Sequence, residues 1–188
     1  MPELFIALIH HPVLDRRGRI VTSSITSLDL HDLARSARTF GVRGFFVAHP
    51  IAEQREFAVR VVSHWFGEHG RQHDSRRRDA LGLVKIVDDL DQAVAQIKVE
   101  TSRGPRIGFT SAQVQGTIGY EQLRYELAGA TFDQAPILLL FGTGFGMTEA
   151  TLARADFVLP AIKGLSNYNH LSVRAAAAIV LDRLCGNR

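Results

Sequence analysis

Ten consecutive residues, Asp29-Leu30-His31-Asp32-Leu33-Ala34-Arg35-Ser36-Ala37-Arg38, carry two carboxylates, an imidazole and two guanidinium groups. A carboxylate or imidazole within hydrogen-bond reach of a reacting group can serve as a general base. A guanidinium stays protonated, so Arg35 suits stabilisation of a developing oxyanion better than proton abstraction. On a helix, Arg35 and Arg38 lie three residues apart and share a face, where together they can clamp phosphate. Asp29, His31 and Asp32 fall at the start of that helix. Carboxylates there also complement the helix dipole, a structural role that needs no chemistry. His10 and His11 follow the first apolar run and are placed to reach the same region.

A second constellation is Gly142-Thr143-Gly144-Phe145-Gly146, between the apolar run Ile137–Phe141 and a short helical segment. Glycines in a strand-to-helix turn let a ligand approach the backbone closely, as in dinucleotide-binding turns. Here the spacing is GxGxG, not GxGxxG, and Ile162 stands about 20 residues on, where a ribose-binding acid is expected. Only 46 of the 188 residues follow Gly142, too few for the second half of a dinucleotide fold. The loop therefore points to a different adenosine-containing ligand.

Further on, Ser166, Asn167, Tyr168, Asn169 and His170 form a polar cluster before an alanine-rich helix. Asn169 is a candidate helix cap. Arg174 falls in the first helical turn, where the dipole disfavours a cation, so a carboxylate or an RNA phosphate is expected beside it. His64, His69 and His73 crowd Trp65, but their spacing matches no zinc motif and Cys185 is the only thiol, so no metal site is expected. In the same stretch Arg71, Arg76, Arg77 and Arg78 make a basic run, a solvated face unless a phosphate-bearing partner covers it.

These groups need a scaffold, and the chain is long enough for one. With 188 residues, 46% of them hydrophobic and 22% charged, it reads as a single globular domain spanning residues 1–188. The net charge is +3, and the basic residues are almost all Arg, the Lys being Lys85, Lys98 and Lys163. No apolar run reaches the roughly 20 residues needed to cross a bilayer. Met1–Ile9 carries Glu3 where a signal peptide would carry positive charge. A cytoplasmic protein without disulfides and without membrane association is the expectation.

Strands are predicted at Leu4–Ile9, Gly44–Ala48, Leu83–Val87, Arg106–Thr110, Ile137–Phe141 and Phe157–Leu159. Helices are predicted at Leu28–Phe40 (capped by Ser27), Ala52–Phe66, Leu90–Ile97, Tyr120–Ala128, Met147–Ala153 and Leu171–Leu184, with loops at 10–27 and 67–79. Strands apolar on both faces and separated by helices imply an α/β fold: a mainly parallel sheet flanked by helices on both faces. Ligands bind such sheets beyond the carboxyl ends of the strands.

Together these segments resemble the SPOUT class of RNA methyltransferases, in its SpoU-like branch. Phe141-Gly142 and Gly146 fit the family's FG-x-E-x-x-G. Leu159-Pro160, Gly164, Leu171-Ser172-Val173 and Ile179-Val180-Leu181 fit IPM-x-G…SLNVSVAAGIVL. Arg35, Ala37, Phe40, Gly41 and Val42 fit N-x-G-A-x-x-R-T-A-x-x-F-G-V, with Asp29 for Asn and His31-Asp32 for Gly-Ala. The order is that of the branch with HD-x-A-R-S-A-R-T and Y-N-H-L-S-V-R motifs.

The resemblance implies a C-terminal trefoil knot, S-adenosylmethionine as cofactor, RNA (tRNA or rRNA) as substrate and a homodimer. It places the cofactor among Thr110, Ser111, Gly142, Thr143, Gly144, Gly146, Leu159, Pro160, Ile162, Gly164, Asn169, Leu171 and Ser172. Gly144 is expected to leave room for the ligand, so that a larger side chain would block it. Arg35, Asp29 and Asp32 are the catalytic candidates, and Arg38, Arg76, Arg77, Arg78 and Arg174 the RNA-binding ones. Ribose 2'-O methylation assisted by Arg35 is the preferred reaction. Guanine-N1 methylation, with Asp29 or Asp32 as base, is the alternative, and a binding module without catalysis is the third.

Overall fold

The structure, a computed structural model, describes residues 3–67, 75–111, 115–129, 134–166 and 168–187. In chain order the elements are β1 (Leu4–Ile9), β2 (Val13–Leu14), β3 (Ile20–Val21), α1 (Ser27–Thr39), β4 (Gly44–Ala48) and α2 (Ala52–His64). There follow α3 (Ser75–Leu81), β5 (Val84–Val87), α4 (Leu90–Thr101), β6 (Arg106–Thr110) and α5 (Tyr120–Ala128). Last come β7 (Ile137–Gly142), α6 (Glu149–Leu152), β8 (Phe157–Leu159) and α7 (Val173–Cys185).

Six strands form one parallel sheet in the order β5-β4-β1-β7-β6-β8, and β2 pairs with β3 in a separate antiparallel hairpin. Successive side chains of a strand point to opposite faces, and β1 uses this fully. Leu4, Ile6 and Leu8 join a core with Leu30, Leu33, Ala58, Leu81, Leu123 and Leu181, from α1, α2, α3, α5 and α7. Phe5, Ala7 and Ile9 join the opposite core with Ala93 and Ile97 of α4 and Met147. From β1 the chain winds outward to β4 and β5, then crosses to the other side for β6, β7 and β8. The strand order thus reverses between β1 and β7, the place where open α/β sheets leave a crevice.

Several local expectations shift. Thr26, not Ser27, caps α1, its side chain accepting from Asp29 N. Ser172, not Asn169, caps α7 by accepting from Ala175 N. α4 runs one turn past Ile97, to where Ser102 takes a left-handed φ of 60°. Part of the expected loop at 67–79 is helical, because burial of Ala80 and Leu81 draws α3 into the core beside α1. The expected loop at 10–27 holds the β2–β3 hairpin, whose two-residue strands are too short for an alternation to register.

The segment leaving β8 tucks beneath residues 115–119. Thr117 N donates to Val158 O at 2.8 Å, and Tyr120 Oη donates to Pro160 O at 2.9 Å. A Cβ on Gly116 would stand 2.7 Å from Pro160 N and 2.9 Å from Pro160 Cα, backbone atoms that cannot swing away. Gly116→Ala should therefore lower stability by about 1–3 kcal/mol, an overpacking cost. Gly104→Ala, whose Cβ meets nothing within 4 Å, should stay near wild type. Urea unfolding of the two variants side by side checks the contrast, and equal stabilities would refute the tight crossing.

Candidate active site

A cavity of about 470 Å3 opens at the carboxyl ends of β6 and β7. Four parts of the chain wall it: residues 14–29, the end of β6, the loop after β7, and the approach to α7. Of the residues singled out from sequence, Thr110, Ser111, Gly142, Thr143, Gly144, Gly146, Ile162, Asn169, Leu171 and Ser172 all line it. Leu159, Pro160 and Gly164 are not among its walls: Leu159 is buried in the helix-rich core, the Pro160 carbonyl is taken up by Tyr120, and Gly164 is exposed. Ser23, Ser24, Phe145, Met147 and His170 also line it.

The hairpin holds the glycine loop from outside. Leu14 N donates to Gly146 O at 2.8 Å, and Phe145 N donates to Leu14 O at 2.9 Å. Gly144 has φ +61° and a Cβ there would meet Leu14 O at 2.7 Å. The expectation that a larger residue at 144 would block the ligand is corrected accordingly: that side faces the hairpin. Gly146, at φ +112°, leaves bare backbone at the cavity wall, where an added Cβ would meet no described atom within 4 Å.

Behind the loop runs a chain of hydrogen bonds whose direction follows from donor accounting. Thr143 Oγ1 donates to Ile9 O at 3.1 Å. Its one proton spent, it can only accept from Ser23 Oγ, 2.5 Å away. Ser23 in turn can only accept from His10 Nδ1, at 2.9 Å. His10 is thereby assigned as the Nδ1–H tautomer, and its buried Nε2 has no hydrogen-bond partner among the described residues. His10 is 0% exposed, and burial, with the His49 ring 5.4 Å away, pushes its imidazole down to about 4. His49 takes the other tautomer, donating Nε2–H to Ser23 O at 3.0 Å while Nδ1 accepts from Ile51 N at 3.1 Å. The two imidazoles hold Ser23 by side chain and backbone, so the Ser23 and Thr143 hydroxyls turn lone pairs, not protons, to any further ligand.

The charged groups of α1 divide. Asp29 lines the cavity with 14% of its side chain exposed and accepts from Thr26 Oγ1 at 2.6 Å. Asp32 and Arg35 pair with each other outside the cavity lining. Arg174 bridges the set, lying 3.5 Å from Asp29 and 3.5 Å from Asp32. Carboxylates are thus the partner that offsets its place in the first turn of α7. His31 lies outside the cavity lining and packs edge-on against Trp65. Arg77 lies 4.6 Å over the Trp65 ring, Arg78 is 3.8 Å from Asp79, and Arg38 and Arg76 are exposed. His69, Arg71, His73 and Asn167 lie outside the described residues, among which no group of three metal-ligating side chains occurs. No helix among them is long and apolar enough to cross a membrane.

The sequence model of a family of S-adenosylmethionine-dependent RNA methyltransferases matches residues 3–186. The chain belongs to this family. A tRNA (guanine-N(1)-)-methyltransferase of Oleidesulfovibrio alaskensis is 39% identical over 185 residues, a match covering 98% of this chain and 42% of that protein. The chain thus spans less than half the length of the curated relatives carrying that name. A probable methyltransferase from Bordetella pertussis superposes with a TM-score of 0.62 at 16% identity, covering 97% of this chain and 92% of the other. The SpoU methyltransferase AviRb of Streptomyces viridochromogenes, in complex with its cofactor S-adenosylmethionine, superposes at 0.59 with 14% identity, covering 98% and 60%. These likenesses show the fold, the α/β knot of SpoU methyltransferases.

The walls suit the family's cofactor. Phe109, Phe141, Met147 and Ile162 offer apolar surface for an adenine, the bare Gly146 backbone allows close approach, and the Ser23 and Thr143 oxygens offer acceptors for an ammonium or ribose hydroxyls. The volume is within the usual range for such ligands.

The neutral His10 has a consequence for stability. Its ordinary value is 6.5 and its native value about 4, so between these the unfolded chain binds a proton that the folded one refuses, and stability falls as pH drops. His49 and His31, also lowered by burial, act in the same direction. For His10 alone the loss between pH 7.5 and pH 5 is about 2 kcal/mol. His10→Asn keeps an N–H donor but does not titrate, so its urea midpoint should be less acid-sensitive than wild type. Equal sensitivity would contradict the buried neutral assignment.

Proposed function

We propose that this chain methylates RNA at a base nitrogen, guanine N1 being the representative acceptor, with S-adenosylmethionine in the 470 Å3 cavity and Asp29 as the proton acceptor. The observation that carries the reading is the division of α1: Asp29 reaches the cavity, whereas Arg35 lies outside its lining and is paired with Asp32. The cofactor supplies an activated methyl group. The protein's work is positional: the glycine loop and the Ser23–Thr143 hydroxyls orient the donor, and Asp29, held in place by Arg174, receives the proton as the nitrogen attacks. The name carried by the longer relatives agrees with this acceptor, although it belongs to proteins of more than twice this length. Arg38, Arg76, Arg77 and Arg78, on the neighbouring helices α1 and α3, would track the RNA backbone.

A second reading, ribose 2'-O methylation, is favoured by the exposure of Arg35 and of Leu28, 58% exposed on the same helix. A second copy of the chain docked on α1 and α7 would deliver Arg35 to its partner's cavity, where a cation stabilises the developing oxyanion.

Methylation of bulk RNA, followed by nuclease digestion and mass spectrometry, separates the two. Base methylation predicts the label on a base, an Asp29→Asn rate reduced roughly 100-fold or more, and little effect of Arg35→Ala. A 2'-O label abolished by Arg35→Ala, with a dimer by light scattering and Asp29→Asn active, would establish the second reading instead.

A further inference from the structure

Three aromatic rings, two in the cavity wall and the third against one of them, have no part in the chemistry above. Phe145, 52% exposed, lies 6.1 Å from the His170 ring at an interplanar angle of 32°. Tyr168, 75% exposed, stands edge-on to His170 at 6.5 Å and 83°. Phe145 and His170 belong to the cavity wall, on the loop after β7 and the approach to α7, and Leu171 beside them is 43% exposed. Large apolar side chains left exposed together, at the rim of a ligand cavity, mark a binding surface.

Building on the RNA reading above, we propose that Phe145, Tyr168 and His170 form a stacking platform for an unpaired nucleobase of the RNA, presented beside the methyl donor. The position argues for the substrate: whatever lies across these rings lies at the entrance to the cavity that Asp29 lines. The composition argues for a base over a protein helix. Two of the three rings carry polar edges and Asn169 stands between them in sequence, so the surface matches a flat π face with hydrogen-bonding edges. Aromatic side chains receive splayed-out bases in this way, whereas a paired base keeps its faces buried in the helical stack. The platform thus selects single-stranded or loop RNA over duplex, while the arginines of α1 and α3 act on the backbone without regard to base.

The test uses fluorescein-labelled single-stranded oligoadenylate of twelve nucleotides and the same strand annealed to oligouridylate, read by anisotropy on the full chain. Tyr168→Ala and Phe145→Leu should each weaken single-strand binding about tenfold, the lower part of the range for losing one stacked ring, and leave duplex binding unchanged. Tyr168→Phe should bind as wild type, since it keeps the ring. Single-strand affinity unchanged in both variants, or no single-strand binding by the wild-type chain, overturns the platform. So does an equal loss of S-adenosylhomocysteine affinity by calorimetry, which would place the cofactor's own adenine on the rings. Loss of a dimer by light scattering in these variants would show a second copy covering them, and also overturns it. Failure of the methyltransferase reading looks different: the wild-type chain would bind no S-adenosylhomocysteine and label no bulk RNA.

Discussion

The site depends on the parallel pairing of β1 with β7. Six register pairs, from Leu4↔Ile137 to Ile9↔Gly142, join segments more than a hundred residues apart and end at the same level. The chain leaving β1 at His10 and the chain leaving β7 at Thr143 therefore emerge side by side. Every later contact of the cavity follows: Thr143 reaches back to Ile9 O, Ser23 reaches Thr143, and the β2–β3 hairpin lies against Gly144 and Gly146. A one-residue slip would send Phe5, Ala7 and Ile9 to the opposite core, so the two hydrophobic cores themselves hold the register that the cavity requires.

Two polar devices complete the wall, and both are built from groups that their surroundings would otherwise penalise. His10 is fully buried and stays neutral, and its single donor sets the orientation of two hydroxyls in series. Arg174 sits where the dipole of α7 repels it and is held there by Asp29 and Asp32 of α1. Charges this exposed contribute little stability. The bridge instead ties the approach to α7, which carries Leu171 and Ser172 of the cavity wall, to the helix that carries the candidate base.

Under the proposed function, recognition and chemistry are separated along the protein surface. Asp29 lines the cavity, Phe145 and His170 lie in its wall with Tyr168 edge-on to His170, and Arg38 and Arg76 are exposed on α1 and α3. An RNA strand held by its phosphates on the arginines would still have a base free to turn toward the rings. That geometry suits a parallel sheet whose crevice opens beyond the carboxyl ends of its central strands.

Strand positions were legible in the sequence because fully buried parallel strands are short apolar runs, as in LFIALI and ILLLF, and helices between them leave few alternatives. The glycine loop and the polar stretch before α7, which the structure places in the cavity wall, stood out for the same local reason: glycine and small polar residues at strand ends. The sequence by itself also marked Arg174 as a misplaced cation. It could not choose the partner, since Asp29 lies 145 positions away and only the packing of α7 on α1 brings them together. Nor could it find Ser23, an ordinary serine in a loop until the β1–β7 pairing sets it against Thr143. Asp29, Asp32 and Arg35 read as one cluster along the chain, but a helix turns about 100° per residue and only one of its faces meets the cavity. Tertiary structure alone decided that this face belongs to Asp29.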